Sequence, residues 1–261
     1  MVDMKRSFVV SPCAIVALFV LAPAAASADV IELGRTPISP LIAPVCPPGV
    51  RSTNCTIVLT RSTALATVRD GLGYPTKVTK AGWIVAFTLG LSQLSSNPAT
   101  ERSYIRTLDR AYGGGTCAQV DAPSCQAQAG LTVLAPGRRK YEWKVVAQTP
   151  MIHLQQFLGT VAQFPLAPSG SKTYYALPVV PGDVIALTVP TWAPVLTYGQ
   201  SPKKFAYRQS RMANCSNPAA SQQAQLTIGA DTQYICDYAG TRVEYSATEV
   251  TNPATAKNPI R

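Results

Sequence analysis

The sequence predicts an all-β protein: a single β-sandwich or jelly-roll-like domain with long loops that are cross-linked by disulfides. Three observations point to this fold. Short runs rich in Val, Ile and Thr recur along the chain, with Pro and Gly turns between them. We find no apolar pattern at helical spacing that persists for three turns without Pro or Gly, so we expect few helices. The cysteines fall into close pairs, as they do in exported domains held by disulfides.

Residues 1–28 have the organisation of a cleavable secretory signal peptide. A basic start precedes an apolar run from Phe8 through Leu21, and Ala26-Ser27-Ala28 supplies the small-x-small pattern that signal peptidase accepts. The run after Pro12 is shorter than the roughly 20 apolar residues of a membrane span. We therefore predict cleavage after Ala28, a secreted protein, and no transmembrane segment in the mature form.

The chain that follows is long enough for one large sandwich, since all-β folds often run to about 200–250 residues as one domain. Prolines concentrate from Pro37 to Gly49. We expect residues 29–54 to be a proline-rich, extended or loosely tethered N-terminal arm. Residues 55–251 are then the sandwich domain, and residues 252–261 a flexible C-terminal tail.

Basic residues outnumber acidic ones in this chain. The whole sequence has 23 Lys and Arg against 13 Asp and Glu, a formal net charge of +10, which becomes +9 once Asp3, Lys5 and Arg6 are removed with residues 1–28. In an exported protein, the positive electrostatic field from this charge favours acidic wall polymers, anionic lipid headgroups or extracellular polysaccharide as partners over nucleic acid. A surface charge that only aids solubility is the alternative.

Six cysteines remain after cleavage, an even number that favours disulfides in an exported chain. Six thiols allow 15 connectivities, and nearest-neighbour pairing is favoured because it closes three local loops without long-range register. A metal site is disfavoured, since there is no Cys-x-x-Cys and the chain has a single histidine. The favoured pairs are Cys46 with Cys55, Cys117 with Cys125, and Cys215 with Cys236.

Strands are predicted wherever β-branched and aromatic residues alternate or cluster between turns. The clearest is Tyr141–Ala147, where Tyr141, Trp143 and Val145 share one face. Two final segments, Tyr234–Tyr238 and Thr241–Ser246, are predicted to form a hairpin over Ala239-Gly240. The other predicted strands are Thr56–Thr60, Gly82–Leu89, Ser103–Leu108, Gly130–Leu134, Ile152–Phe157, Tyr174–Pro178 and Asp183–Val189.

Four stretches stand out in the sequence: Gly82–Ser92, Tyr141–Val146, Leu177–Pro194 and Cys236–Ala247. Together they resemble a family of uncharacterised secreted β-sandwich proteins from soil actinobacteria. The family has no established activity. The resemblance therefore implies an extracellular sandwich and implies nothing about catalysis.

No catalytic residues are predicted. His153 is the one histidine and lies within an apolar stretch, and no Gly-x-Ser-x-Gly motif occurs. A glycosidase needs two carboxylates about 5–10 Å apart, which leaves the pairs Glu101 with Asp109 and Asp237 with Glu244 as candidates. Surface salt bridges or turns are the commoner fate of such acids. No phosphate-cradling glycine motif is present, and no cofactor is expected.

A ligand-binding region is predicted between residues 192 and 211, where aromatic and basic residues interleave. Aromatic faces can stack on sugar rings while cations attract uronate, sulfate or phosphate groups. The alternative is that the aromatics are core residues beside a solvated basic loop. The predicted ligand-binding residues are Trp192, Tyr198, Lys203, Lys204, Tyr207, Arg208 and Arg211, with Phe205 among them in the chain.

We therefore expect a secreted, non-enzymatic binding or structural module that contacts an anionic cell-envelope polymer or extracellular polysaccharide, and no nucleic acid. Two alternatives stay open: a secreted carbohydrate-active enzyme with paired carboxylates, and an adhesion or scaffold protein that binds other proteins at a sandwich edge.

Overall fold

The computed structural model of the protein describes residues 28–46, 57–113, 122–166, 176–211, 215 and 223–252. The fold is an all-β sandwich, as predicted, built from large antiparallel sheets. The described residues include one α-helix, α1 (Pro98–Tyr112), and short 3-10 turns at Pro123–Cys125 and Gln155–Phe157. The strands, in chain order, are β1 (Val30–Leu33), β2 (Leu59–Arg69), β3 (Leu72–Gly73), β4 (Gly82–Gly90), β5 (Gln128–Pro136), β6 (Glu142–Gln148), β7 (Ile152–His153), β8 (Val161–Pro165), β9 (Leu177–Val179), β10 (Val184–Ala193), β11 (Leu196–Thr197), β12 (Phe205–Gln209), β13 (Asp231–Gln233), β14 (Cys236–Ala239), β15 (Arg242–Val243) and β16 (Tyr245–Thr251).

The strands form two large sheets and one small one. The five-stranded sheet has the order β1-β16-β4-β8, with β9 also paired to β4. The nine-stranded sheet has the order β13-β6-β5-β10-β2-β12-β14, with β3 paired to β2 and β7 to β5, while β11 and β15 pair by themselves. All of these pairings are antiparallel.

The nine-stranded sheet curls into a half-barrel. Its terminal strands β13 and β14 are at opposite ends of the strand order, yet only Tyr234 and Ile235 separate them in the chain. Three peptide units span at most about 11 Å, so the two edges lie close together. The guanidinium of Arg208 in β12 also lies 3.8 Å from the ring centroid of Tyr141, which precedes β6.

The main hydrophobic core includes inward-facing residues of both sheets, such as Phe87 and Leu89 of β4 and Leu131 and Leu187 of the nine-stranded sheet. Successive side chains of a strand point to opposite faces. A second cluster therefore lies on the other face of the nine-stranded sheet, within its curl. Its buried members are Leu65, Leu134, Val145, Val184, Ala186 and Tyr234.

The strand predicted over Ser103–Leu108 is wrong, because this segment lies within α1. Asn97 caps the helix by accepting hydrogen bonds from the N–H groups of Ala99 and Thr100, and Pro98 occupies the first turn, where proline is well tolerated. One stripe of the helix packs on the core and the opposite stripe faces solvent.

Four other strand predictions are confirmed, those matching β4, β5, β6 and β10. The strand predicted over Ile152–Phe157 is partly wrong, because β7 stops after His153 and a 3-10 turn follows. The predicted strands beginning at Thr56 and Tyr174 start outside the described residues. Their later parts lie in β2 and β9.

The predicted hairpin over Ala239-Gly240 does not form. Instead, β14 pairs with β12 and β15 pairs with β11. Gly240 has a left-handed backbone, with φ +77°, and its N–H donates to the carbonyl of Phe205. The turn thus directs the chain away from β14 into another layer, because each flanking strand has a better partner elsewhere.

The N-terminal segment is more tightly held than the expected arm at its start, because residues 30–33 form β1 at the edge of the five-stranded sheet and pair with β16. Further along, Arg242 donates hydrogen bonds to the carbonyls of Ser39 and Pro40 at 3.0 and 2.7 Å. A Cβ at Gly90 would lie 1.8 Å from the Ile42 carbonyl oxygen. Glycine is therefore required where this segment crosses β4.

Cys215 and Cys236 form a disulfide, as predicted, with Cα atoms 5.3 Å apart. Cys46 and Cys125 are also disulfide-bonded. The predicted partners of these two cysteines lie outside the described residues. The Cys215–Cys236 bridge closes a loop that includes residues 223–230.

Candidate functional site

Trp192, the first residue of the predicted ligand-binding region, lies in the core. Its side chain is fully buried, and its Nε1 donates a hydrogen bond of 2.8 Å to Oδ1 of Asp109, a buried carboxylate of α1. Buried indoles usually find such a partner. Trp192 therefore joins β10 to α1 and presents no ring face to an external ligand.

The other aromatic residues of this region are also packed inside. Tyr207 is buried and stacks on Tyr238 with ring centroids 4.9 Å apart, and Gln209 Nε2 donates to the Tyr207 hydroxyl. Burial raises the pKa of Tyr207 well above its ordinary value. Phe205 is buried, and Tyr198 is half-buried against the main core.

Arg208 is occupied by contacts within the protein. Its Nη1 donates to the carbonyls of Tyr234 and Ile235 at 3.2 and 2.8 Å, and its Nη2 forms an ion pair of 3.1 Å with Asp237. The guanidinium also lies over the ring of Tyr141. These contacts join the two edges of the curled sheet, so Arg208 has a structural role.

Arg211 is buried as well, and its Nε donates to Oε1 of Gln209 at 2.5 Å. Burial lowers its pKa. Lys203 and Lys204, in the turn before β12, are the exposed members of the predicted set. The seven residues therefore do not form an aromatic–basic surface, and the arrangement corresponds to the alternative of core aromatics beside a solvated basic loop.

The two carboxylates of the candidate pair on α1 are too far apart to act together in glycosidase chemistry. Glu101 and Asp109 are eight residues apart, which is about 12 Å along a helix axis. Asp109 accepts the Trp192 hydrogen bond from inside the core. Burial raises the pKa of Glu101 at the start of the helix.

The second candidate pair, Asp237 with Glu244, is held by arginines. Asp237 pairs with Arg208, whereas Glu244 is fully buried 3.0 Å from Arg242 and 3.7 Å from Arg69. Burial raises the pKa of Glu244, and Arg242 opposes this shift; burial also lowers the pKa of Arg69 to about 10. Such a buried cluster specifies packing, because separating its members would leave a buried charge.

The described residues contain no group of three or more His, Cys, Asp or Glu side chains that could hold a metal ion. His153 is exposed in the short strand β7. Within the part of the chain that the structure describes, no helix is long and apolar enough to cross a membrane.

A row of exposed arginines runs along α1, which the sequence analysis missed. Arg102, Arg106 and Arg110 are spaced by four residues and therefore lie on one helix face, while Tyr104 and Leu108 are buried on the opposite side. None of the three arginines forms an ion pair with any described residue. We call these three residues the arginine row.

Two signals in the sequence could have revealed the arginine row. Asn97-Pro98 followed by Glu101 in the first turn is a pattern typical of helix starts. The four-residue spacing of the arginines then matches one face of a helix. The β-branched and aromatic residues Tyr104 and Ile105 favoured a strand instead, and tertiary packing against β10 overrides that local preference.

Arg61, a residue of β2, lies beside the C-terminal end of the same helix. Its Nε donates a hydrogen bond of 3.0 Å to the carbonyl of Tyr112, the last residue of α1. A cation is favourable at a helix C-terminus, where unpaired carbonyls carry partial negative charge. The two terminal nitrogens of its guanidinium make no hydrogen bond to other described residues.

A second group of cations lies in the turn between β5 and β6, and this group is partly neutralised. Arg139 pairs weakly with Glu142 at 3.7 Å, and Glu142 also accepts a hydrogen bond from the N–H of Arg138. Lys140 lies 4.8 Å from the centroid of the Tyr141 ring. The arginine row, in contrast, forms no ion pair with a described carboxylate, although Arg102 interacts electrostatically with Glu101, and the row is the stronger candidate for binding an external anion.

In comparisons with known proteins, no family model, no curated protein and no solved structure matches this chain. The resemblance to secreted actinobacterial β-sandwich proteins therefore stays a prediction from sequence. Any functional assignment depends on the geometry of the chain's own residues, of which the arginine row of α1 is the feature best suited to contact a partner.

Proposed function

We propose that this protein is an exported, non-enzymatic module that binds an acidic cell-envelope polymer or extracellular polysaccharide. The observation that carries the proposal is the arginine row: three solvent-facing guanidinium groups on one rigid helix, with no internal ion pair among the described residues. Arginine forks fit carboxylate and phosphate groups bidentately. The positive net charge of the whole chain adds long-range attraction for such a polymer.

Export is part of this proposal and is supported by two observations. The first 28 residues have the organisation of a signal peptide. The Cys215–Cys236 disulfide is of the kind that persists in oxidising compartments outside the cytosol. An extracellular location would bring the arginine row into contact with wall and matrix polymers.

The non-enzymatic part of the proposal is supported by the state of the acids. In the carboxylate pairs considered above, Asp109 holds an indole N–H in the core, Asp237 holds Arg208, and Glu244 is buried between Arg242 and Arg69. Reacting with a glycosidic bond would require these contacts to break.

The test is retention of the purified protein, expressed as the full chain, on isolated cell envelope, on polygalacturonate and on a neutral glucan, at low and high salt. We expect retention on the acidic matrices that weakens as salt is raised, because exposed charge pairs are screened. The variant Arg102→Gln/Arg106→Gln/Arg110→Gln should lose it. Glutamine is a good helix former, so α1 should persist.

A charge-matched control separates this site from a general effect of net charge. Lys77→Gln/Lys203→Gln/Lys204→Gln removes the same three positive charges from exposed positions elsewhere. This control should keep most of the retention. Equal loss in both triple variants would reject the arginine row as the site, and no retention of the unaltered protein on any acidic matrix would reject the proposed function.

A further inference from the structure

We infer that the arginine row and Arg61 together form a track that binds one extended polyanion along α1, with successive anionic groups of the polymer on successive guanidiniums. This inference rests on the proposed function and names the kind of ligand it requires. The ligand is a linear polymer with a carboxylate or phosphate on each repeating unit. The proposed ligand is an acidic polysaccharide chain.

The spacing of the cations supports a linear ligand. A helix rises 1.5 Å per residue, so neighbouring members of the arginine row are about 6 Å apart along the axis, and Arg102 and Arg110 are about 12 Å apart. The three side chains lie on one face and point away from the core. A chain of charged units can follow this direction, whereas a single small anion can meet one or two of the guanidiniums.

Arg61 extends the positive surface beyond the helix. Its Nε is fixed on the carbonyl of Tyr112, which holds the guanidinium at the C-terminal end of α1, next to the last turn that carries Arg110. The side chain of Arg61 is half-buried, and no described residue accepts a hydrogen bond from its terminal nitrogens. A polymer lying along Arg102, Arg106 and Arg110 would reach Arg61 as it leaves the helix.

Multivalency explains why the ligand should be a polymer. An exposed ion pair is weak and is screened by salt, so one guanidinium would hold a monomeric uronate poorly. Linked anions bind with a high effective concentration after the first contact. Affinity should therefore rise steeply with chain length until every cation of the track is occupied.

The exposed face of α1 argues against a lipid bilayer as the partner. Its large apolar residues Tyr104 and Leu108 are buried against the sandwich, and the exposed positions beside the arginines are the small residues Ala99, Ser103, Thr107 and Ala111. A helix that binds a membrane inserts an apolar face into the headgroup region. On this helix that face is already covered by the protein core.

The experiment measures affinity for galacturonate monomer, dimer, tetramer and octamer by titration calorimetry at several salt concentrations. A poly(glycerol phosphate) of matched length and phosphatidylglycerol vesicles serve as further probes. We expect at least a tenfold gain from dimer to octamer, roughly the effect of a few linked weak contacts. The slope of log affinity against log salt should fall by about one for each arginine removed.

Arg61→Gln is the decisive variant, with Arg61→Lys as its matched control. The glutamine variant should weaken octamer binding by about three- to tenfold, which is the order expected for loss of one linked contact, and should leave dimer binding unchanged. The lysine variant keeps the charge and should recover most of the affinity. Thermal unfolding of both variants verifies that the domain is folded.

The outcomes distinguish this inference from the proposed function. Octamer binding that requires the arginine row but depends neither on ligand length nor on Arg61 would overturn the track and leave the proposed function intact. Equal affinity for monomer and octamer, or binding to vesicles in preference to both polymers, would also overturn the track. Failure of every acidic polymer to bind would remove both.

Discussion

Helix α1 and the segment around β12 are similar in composition but differ in which side chains reach solvent. Both carry tyrosines beside several cations. In α1 the helical period turns the aromatic residues to the core and the arginines to solvent. In β12, Tyr207 packs on one face of the sheet, while Arg208 on the other face is held by the curled edge of the same sheet. A basic, aromatic stretch therefore presents its cations to solvent only where one of its faces is uncovered.

The largest effect that tests this comparison is expected at Trp192. Trp192→Ala should lower the free energy of unfolding by about 3–5 kcal/mol, because it leaves a core cavity and removes a hydrogen bond to buried Asp109. Denaturant titration measures the loss. Trp83→Ala is the matched control, since Trp83 is 40% exposed on β4 and should cost much less. Similar costs for the two variants would contradict the core assignment of Trp192.

The next largest effect is expected from a comparison of two arginines, Arg208 and Arg106. Arg208→Gln should lower the free energy of unfolding by about 1–2 kcal/mol, because it removes two backbone contacts and the pair with Asp237. Arg106→Gln should change it by less than about 0.5 kcal/mol, as is usual at exposed positions. Binding to polygalacturonate should show the reverse order. If Arg208→Gln weakened binding more than Arg106→Gln, the binding surface would have to be placed at β12.

A buried acid, Glu249, makes the stability of the fold depend on pH. Both carboxylate oxygens of Glu249 are buried without a hydrogen-bond partner among the described residues, and burial raises its pKa above the ordinary value of 4.5. The folded state then holds this proton more tightly than the unfolded state. The stability from this group is complete below pH 4.5 and is lost as the pH rises through the folded-state pKa.

Glu249→Gln removes this titration. The free energy of unfolding of the variant, measured relative to the unaltered protein, should therefore increase as the pH rises above 4.5 and then level off above the folded-state pKa. Denaturant titrations of both proteins from acidic to mildly alkaline pH check this. A difference that stays constant over the whole range would show that Glu249 does not titrate on folding.

The smallest effect is expected at the two exposed lysines of the predicted site. Lys203→Gln/Lys204→Gln should change the free energy of unfolding by less than about 0.5 kcal/mol and leave polygalacturonate retention nearly unchanged. Both lysines lie in the turn before β12, and neither side chain forms an ion pair in the described part of the chain, so their replacement breaks no such contact. Loss of retention in this double variant would return the site to the predicted region.

Much of the fold was predictable because a half-buried strand has a clear local pattern. The alternation in Tyr141–Ala147 and the β-branched run after Gly182 mark β6 and β10 directly. The helix was missed because the aromatic and β-branched residues inside α1 carry local strand preference, and the capping pattern at Asn97-Pro98 was not recognised. The hairpin over Ala239-Gly240 failed because strand partners are chosen among all strands of the protein, not between neighbours alone.

The sequence by itself determined the class of fold, most of the strands, the Cys215–Cys236 pair and the positive charge, since each depends on residue type and local spacing. The tertiary structure alone decided which aromatic and basic residues reach solvent. A side chain is buried when a second layer covers its face, and that layer comes from distant parts of the chain. This is why Trp192 and Arg208 are structural while the arginine row of α1 is exposed to solvent.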